Sequence, residues 1–213
     1  MIKNYSILII LIIIYFLLKY IIPYWDYIVY PINLMVTFLH EFGHSLFALL
    51  TWWSVKSMQI NTDGSGYAII AGWWSSVILI GWYVWSAIFG NILLYIWFKK
   101  QKLSQYIIYL LVGLLIFSGI IWFNSIISTL ILILLAGILI FISKNKNYNS
   151  TVLQFLWITT LLYIIEDFNV WPSSDIAKFW DIFIIIPDFI WMILWLIIVL
   201  IITGWNIKKI IRK

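Results

Sequence analysis

The chain has no cysteine, few charges and almost no histidine. The missing thiols exclude disulfides, thiolate nucleophiles and cysteine-ligated metal, and leave the redox compartment unreadable. Only 10% of the 213 residues are charged, against 65% that are hydrophobic. A soluble domain cannot hide so much apolar surface, since roughly 30% of the chain surface of a 150-residue domain stays exposed. The surplus of 13 basic over 8 acidic residues is not a nucleic-acid footprint. It lies in short clusters at the ends of apolar runs, "FKKQK" at 98–102, "SKNKN" at 143–147 and "NIKKIIRK" at 206–213, as expected of lysines flanking a membrane. There is no internal repeat and no low-complexity linker. No small-residue cleavage site follows the apolar run 5–22, so it reads as a retained helix and not as a cleaved signal.

What is present is a succession of apolar runs long enough to cross a bilayer. About seven are expected, at 5–22, 31–53, 72–98, 104–123, 125–143, 150–166 and 182–205. The fold class is an all-α polytopic membrane protein forming one membrane-embedded domain over 1–213. The third run is long enough to tilt, kink or begin on the surface, and "WFNS" at 122–125 makes 104–143 a helical hairpin. Trp52, Trp53, Trp73 and Trp74 stand at segment ends, where aromatic belts form. Gly72 with Ser76, and Ser86 with Gly90, are small-residue pairs suited to close helix packing. By the positive-inside rule, 99–102, 144–146 and the C-terminal tail face the cytoplasm, with 55–71 and 166–181 opposite. An odd number of spans then places the N-terminus outside.

Two stretches break the apolar pattern. In "VKSMQINTDGSGYAIIAG", 55–72, the turn signal Asp63-Gly64-Ser65-Gly66 separates two β-prone runs, so a short β-hairpin is expected. In "IEDFNVWPSSDIAKFWD", 165–181, Pro172 precedes Ser173 and Ser174, which can cap a new helix.

Both histidines fall in "HEFGH", 40–44, inside the second run. On a helix His40 and His44 share one face, about 6 Å apart along the axis. They can then fill two corners of a tetrahedral zinc site, with Glu41 placed to reach a metal-bound water as general base. A buried glutamate in a membrane costs at least about 2–3 kcal/mol unless it is paired or solvated, which argues that the motif is there for a purpose. Gly43 removes a side chain beside the second ligand and lets a neighbouring segment approach.

A third ligand must be a carboxylate, or less readily a side-chain amide. Asp26 and Asp63 read as loop charges. Asp181 and Asp188 read as acids at the start of the last helix, where negative charge is favoured. Glu166, Asp167 and Asp175 remain, all in the acidic interruption. Asp175 is preferred, because after the Pro-Ser-Ser break it can open a helix pointing at the motif. Lys178 reads as a flanking charge.

HEFGH in a hydrophobic helix, a glycine-containing turn soon after it, and a distal Asp beside a later membrane segment together resemble the site-2 protease group of the M50 family. The likeness is strongest to its small, M50B-like members. It implies a zinc-dependent intramembrane endopeptidase with His40, His44 and Asp175 as ligands, Glu41 as catalytic base and Asn169 as donor to the oxyanion. The family's distal motif runs N-x-x-P and then Leu-Asp-Gly; "NVWPSSD" keeps Asn169 and Pro172, but its Asp comes sooner and Ile176 stands in place of the glycine. The resemblance also implies a substrate that is a membrane protein or peptide, with the hairpin offering a strand edge to an unwound segment. The multi-pass chain then resides in a membrane, expected to be the cell membrane. Two alternatives stand beside this reading. One is an HtpX-like membrane metalloprotease with a downstream glutamate, here Glu166, as third ligand. The other is a metal-binding scaffold or accessory protein without proteolysis.

Overall fold

The computed structural model describes residues 13, 21–22, 24–72, 75–167, 175–183 and 186–211. The expected segment 5–22, the aromatic pair Trp73 and Trp74, and residues 169–174, with Asn169, Pro172 and both candidate capping serines, lie outside that set or almost so.

Helix α1 spans Trp25–Leu50 and carries the HEFGH motif. It begins six residues earlier than expected, so Pro31 sits inside the helix instead of opening it. Proline there deprives the Tyr27 carbonyl of its helical donor, and Tyr27 is exposed, in a place where other donors can reach it. The helix stops at Thr51, whose N–H bonds Phe47 and Ala48 carbonyls at 3.1 Å while its hydroxyl bonds the same two.

The expected hairpin follows. Strand β1, Ser54–Ile60, pairs antiparallel with β2, Gly66–Ala71, with a bulge between Val55 and Ser57. Its turn is closed by Asp63 Oδ1, which accepts the Ser65 hydroxyl at 2.7 Å and the Ser65 N–H at 2.9 Å. These two bonds, the hydroxyl's first, hold the exposed Asp63 carboxyl below its usual pKa. Two bonds from α1 anchor the turn: the Tyr30 hydroxyl donates to the Thr62 carbonyl, and the Thr37 hydroxyl donates to the Gly64 carbonyl at 2.6 Å.

Helix α2, Ser75–Lys99, is the centre of the bundle, touching α1 and three later helices. A 3₁₀ turn at Gln101–Leu103 leads into α3, Ser104–Ile121, and then α4, Ile126–Ser143. These last two form the expected helical hairpin. Ser125 starts α4 as an N-cap, its hydroxyl accepting the Ser128 N–H at 3.2 Å. Helix α5 runs over Lys146–Asp167, the short α6 over Asp175–Ile182, and α7 over Asp188–Ile211. The last helix starts later than its expected position of 182. Pro187 is the reason, since it disfavours helical backbone in the residue before it. Asp181 therefore ends α6, and Asp188 alone opens α7.

Among the described residues, four helical stretches are long and apolar enough to cross a membrane: Ser75–Lys99, Gln101–Ile121, Ile126–Ser143 and Phe189–Ile210. The expected segments 31–53 and 150–166 fall on α1 and α5, which are less apolar. The core lies where α1, α2 and the hairpin meet. Phe38, Leu39, Met58, Ile60, Trp82 and Tyr83 are all essentially inaccessible there.

Candidate metal centre

Helical spacing puts Thr37, His40, Glu41 and His44 on one face of α1, and all four are buried and line one cavity of about 380 Å³. The cavity's other walls come from β2, from the start of α2, from Tyr163 on α5 and from Asp175 and Lys178 on α6. Close packing of α2 on the motif needs Gly43, because a Cβ there would meet Trp85 at 3.0 Å and the Trp82 backbone at 3.2 Å.

Asp175, the first residue of α6, brings Oδ2 to 3.0 Å from His40 Nε2 and 2.9 Å from His44 Nε2. The two Nε2 atoms are 2.9 Å apart. Three potential ligand atoms thus form a nearly equilateral triangle, drawn from residues up to 135 positions apart in sequence. The other Asp175 oxygen takes a bond from Lys178 Nζ at 3.3 Å. The Lys178 side chain is 59% exposed, so this ion pair is worth little by itself.

The two histidines are held differently. His44 Nδ1 lies 2.8 Å from the Ile78 carbonyl, and a carbonyl only accepts, so Nδ1 carries a proton. In neutral His44 the Nε2 lone pair then faces a carboxylate oxygen at 2.9 Å. Two acceptors at that distance repel unless a cation lies between them. An imidazole that donates its far nitrogen to a carbonyl while aiming the near one at a carboxylate is the usual outer-shell arrangement of a metal-ligating histidine. His40 has no such bond: its Nδ1 is buried without a partner among the described residues. Its ring is instead oriented by packing, 4.3 Å from the Trp82 ring centroid and edge-on to Tyr163.

Two imidazole nitrogens and one carboxylate oxygen are a donor set of a zinc site that keeps its fourth position open. Ligand atoms about 2.0–2.1 Å from a tetrahedral zinc stand roughly 3.3 Å apart. The triangle here is tighter by a few tenths of an ångström, so the residues fit the ion with a small outward adjustment. Glu41 does not join the triangle. It lines the same cavity, within reach of a molecule bound at the triangle.

The hairpin wall has its own geometry. Met58 N–H points away from β2 and bonds the Trp122 carbonyl, and Ile60 N–H likewise bonds Ser128 Oγ, both at 2.9 Å. Backbone groups alternate in direction along an antiparallel pair. The partners of Met58 and Ile60, which are Ala68 and Gly66, therefore turn their N–H and C=O groups outward from the free edge of β2. Both residues line the cavity, with Ile70. Among the described residues, the β1 edge is covered by the α3–α4 turn, whereas the β2 edge pairs with no further strand and lines the cavity of Glu41 and the triangle.

Of the other acids considered, Asp63 is exposed in the hairpin turn and Asp181 is exposed on α6. The side chains of Asp26, Glu166, Asp167 and Asp188 are outside the described set, as is all of Asn169. Sequence reasoning missed Thr37, Tyr163 and Trp82 at the cavity. Thr37 was within reach, being three residues before His40 on the same helical face. Lys178 was noticed but set aside, and nothing in the chain pattern pointed to Tyr163 or to the Ile78 carbonyl.

Comparison with known proteins agrees with this geometry at the level of family. No curated protein and no solved structure matches the chain. The family model for Peptidase M50B-like proteins matches residues 7–206, which takes in α1, the hairpin and the Asp175 helix. The chain is an integral membrane protein that belongs to the Peptidase M50B-like family.

Proposed function

We propose that this chain is an intramembrane zinc metalloendopeptidase that hydrolyses peptide bonds of membrane-embedded proteins or peptides. The observation that carries the proposal is the buried triangle of His40, His44 and Asp175, with Glu41 lining the same cavity. His40 and His44 through Nε2, and Asp175 through Oδ2, would hold the ion. Bound zinc supplies Lewis acidity, which polarises a carbonyl oxygen and acidifies water. Glu41 accepts the proton of the attacking water and delivers it to the leaving amide nitrogen. A C–O bond forms and the C–N bond breaks, with no net proton lost. Asn169 enters as the oxyanion donor on the strength of the sequence alone.

A helical substrate keeps its backbone groups bonded internally and must be opened before hydrolysis. The outward-facing groups of Gly66, Ala68 and Ile70 offer an opened segment an edge to pair with, next to Glu41. Seven spans, with the hairpin and the Asp175 helix on the side opposite the lysine clusters and the N-terminus outside, complete the proposal for a cell-membrane enzyme.

The test is elemental analysis of purified protein together with cleavage of single-span peptides bearing a fluorophore–quencher pair and helix-breaking residues. Wild type should hold one zinc and cleave, and His44→Ala and Asp175→Ala should lose both properties. Glu41→Gln should keep zinc and lose cleavage. Zinc unchanged in Asp175→Ala would remove Asp175 from the ligand set. Undiminished cleavage by Glu41→Gln would remove the proposed base, and zinc without cleavage in every wild-type assay would favour the scaffold reading.

A further inference from the structure

A second polar feature lies far from the metal centre, between α2 and α7. The two helices run parallel here, since Tyr83 on α2 packs on Trp195 of α7 and Asn91, eight residues further on, meets Thr203 and Asn206. Asn206 Nδ2 donates to the Asn91 backbone carbonyl at 2.8 Å and to Asn91 Oδ1 at 3.0 Å. Asn91 Nδ2 in turn donates to the Ala87 carbonyl at 2.7 Å and to Thr203 Oγ1 at 3.0 Å. This network uses its own donors and locks the helices in register. It forms the floor of a cleft of about 450 Å³.

The cleft has an apolar end and a basic mouth. Ile88, Ile92 and Ile202 line it toward the membrane interior, while Tyr95, Trp205 and Lys209 line it toward the ends of both helices. Lys209 Nζ sits 4.3 Å from the Trp205 ring centroid, a cation–π contact that holds the ammonium at the mouth. No carboxylate neutralises it among the described residues. Helix α2 contains no acid, and the nearest acid on α7, Asp188, is about 31 Å away along the helix axis. Lys99, Lys100 and Lys208 add positive charge at the same end. By the positive-inside rule this end faces the cytoplasmic leaflet, where anionic lipids concentrate.

We propose that the α2–α7 cleft is a binding site for one anionic glycerophospholipid, with its phosphate at Lys209 and an acyl chain along Ile88, Ile92 and Ile202. A basic pocket between membrane helices on the cytoplasmic side has the chemistry to hold such a headgroup. Apolar wall and fixed ammonium match the two ends of the lipid. The site is independent of the proposed proteolysis, and its test does not need activity.

The test uses full-length protein in phosphatidylcholine vesicles into which phosphatidylglycerol with brominated acyl chains is titrated, reading tryptophan fluorescence. Trp205 lies in the cleft and reports occupancy. Wild type should show a saturable quenching component at low phosphatidylglycerol fraction, and Trp205→Phe should lack it. Lys209→Gln should shift that component to about fivefold higher lipid fraction, as removal of one basic contact predicts. Lys102→Gln, altered outside the cleft, should leave the midpoint within about twofold of wild type. Equal quenching by brominated phosphatidylcholine overturns the proposal in favour of unselective lipid solvation. Quenching that rises linearly in all four proteins overturns it too, as does a Trp205 shielded from both lipids, which would mean a second protein copy covers the cleft.

Discussion

Gly66→Ala tests whether the hairpin packs against the proposed base. A Cβ on Gly66 would lie 2.8 Å from Thr37 Cγ2, 3.0 Å from the Gln59 carbonyl oxygen and 3.0 Å from Glu41 Cγ. Carbon–carbon contacts settle at about 3.5–4.0 Å, so something must yield by at least about half an ångström. Thr37 is pinned by its hydroxyl bond to the Gly64 carbonyl and is buried. Gln59 offers backbone in a paired strand. The yielding group is therefore Glu41 or the whole strand, and either moves the carboxylate relative to the β2 edge. Overpacking of this kind costs about 1–3 kcal/mol. A displacement of half an ångström at a reacting group costs on the order of tenfold in rate, given that a full ångström costs about a hundredfold. Zinc should stay, because the three atoms nearest the added methyl belong to Thr37, Gln59 and Glu41 and not to His40, His44 or Asp175. The assay pairs zinc stoichiometry with peptide cleavage and denaturant unfolding in detergent. Expected are full zinc, cleavage down about tenfold and a loss of about 1–3 kcal/mol. Full activity with unchanged stability would refute the packing of Gly66 on Glu41.

Four other outcomes are expected. Ser128→Ala removes the acceptor of the buried Ile60 N–H and should cost about 1–3 kcal/mol, with faster hydrogen exchange at the Ile60 amide; unchanged exchange there would deny the bond. Trp82→Leu takes away the surface that orients the His40 ring and should weaken zinc affinity about tenfold, as loss of an outer-shell partner does; titration against a fluorescent chelator reads it. The Asp63 carboxyl is held below its usual range by Ser65, so its contribution to the hairpin is present above the unfolded pKa of about 3.9 and fades as pH falls through the lower folded value. Asp63→Ala should accordingly raise exchange at the Ser65 amide at pH 6 and abolish that acid dependence. Removal of zinc by a chelator should lower stability by about 2.7 kcal/mol relative to free zinc at a hundred times its dissociation constant, and the difference should vanish in Asp175→Ala.

Much of this arrangement was legible in the chain because its signals are local. HEFGH is a five-residue pattern whose helical spacing alone puts His40 and His44 on one face. The hairpin was legible from Asp63 to Gly66, since turn chemistry is a short-range property, and α3 with α4 from one polar break at "WFNS". Asp175 was preferred because a Pro-Ser-Ser break can start a helix, an argument about one end of α6 that says nothing of where that helix docks. What could not be read is what depends on docking. The Ile78 carbonyl that fixes the His44 tautomer belongs to a residue with no polar side chain. Tyr163 comes to His40 only because α5 packs on α2, and Lys178 reaches Asp175 through one turn of a helix whose exposed side looked ordinary. Boundaries failed at two prolines, Pro31, which α1 absorbs, and Pro187, which separates α6 from α7.

The placement of the hairpin follows from the same constraint that makes the metal centre costly. In an apolar bundle every backbone group must find a partner, and β1 does so against Trp122 and Ser128 of the α3–α4 turn. Among the described residues, the β2 edge is left with outward groups on Gly66, Ala68 and Ile70, and these residues line the cavity holding Glu41, His40, His44 and Asp175. Two kinds of unsatisfied chemistry thus share one space: backbone donors and acceptors that want an extended partner, and a cluster of nitrogen and carboxylate ligands that wants a cation. Under the proposed function one event answers both, because an unwound substrate segment pairing with β2 carries its amide bonds past Glu41. A structural role for the hairpin alone would be served better by covering the second edge as the first is covered, and that asymmetry among the described residues is the physical reason to look for substrate there.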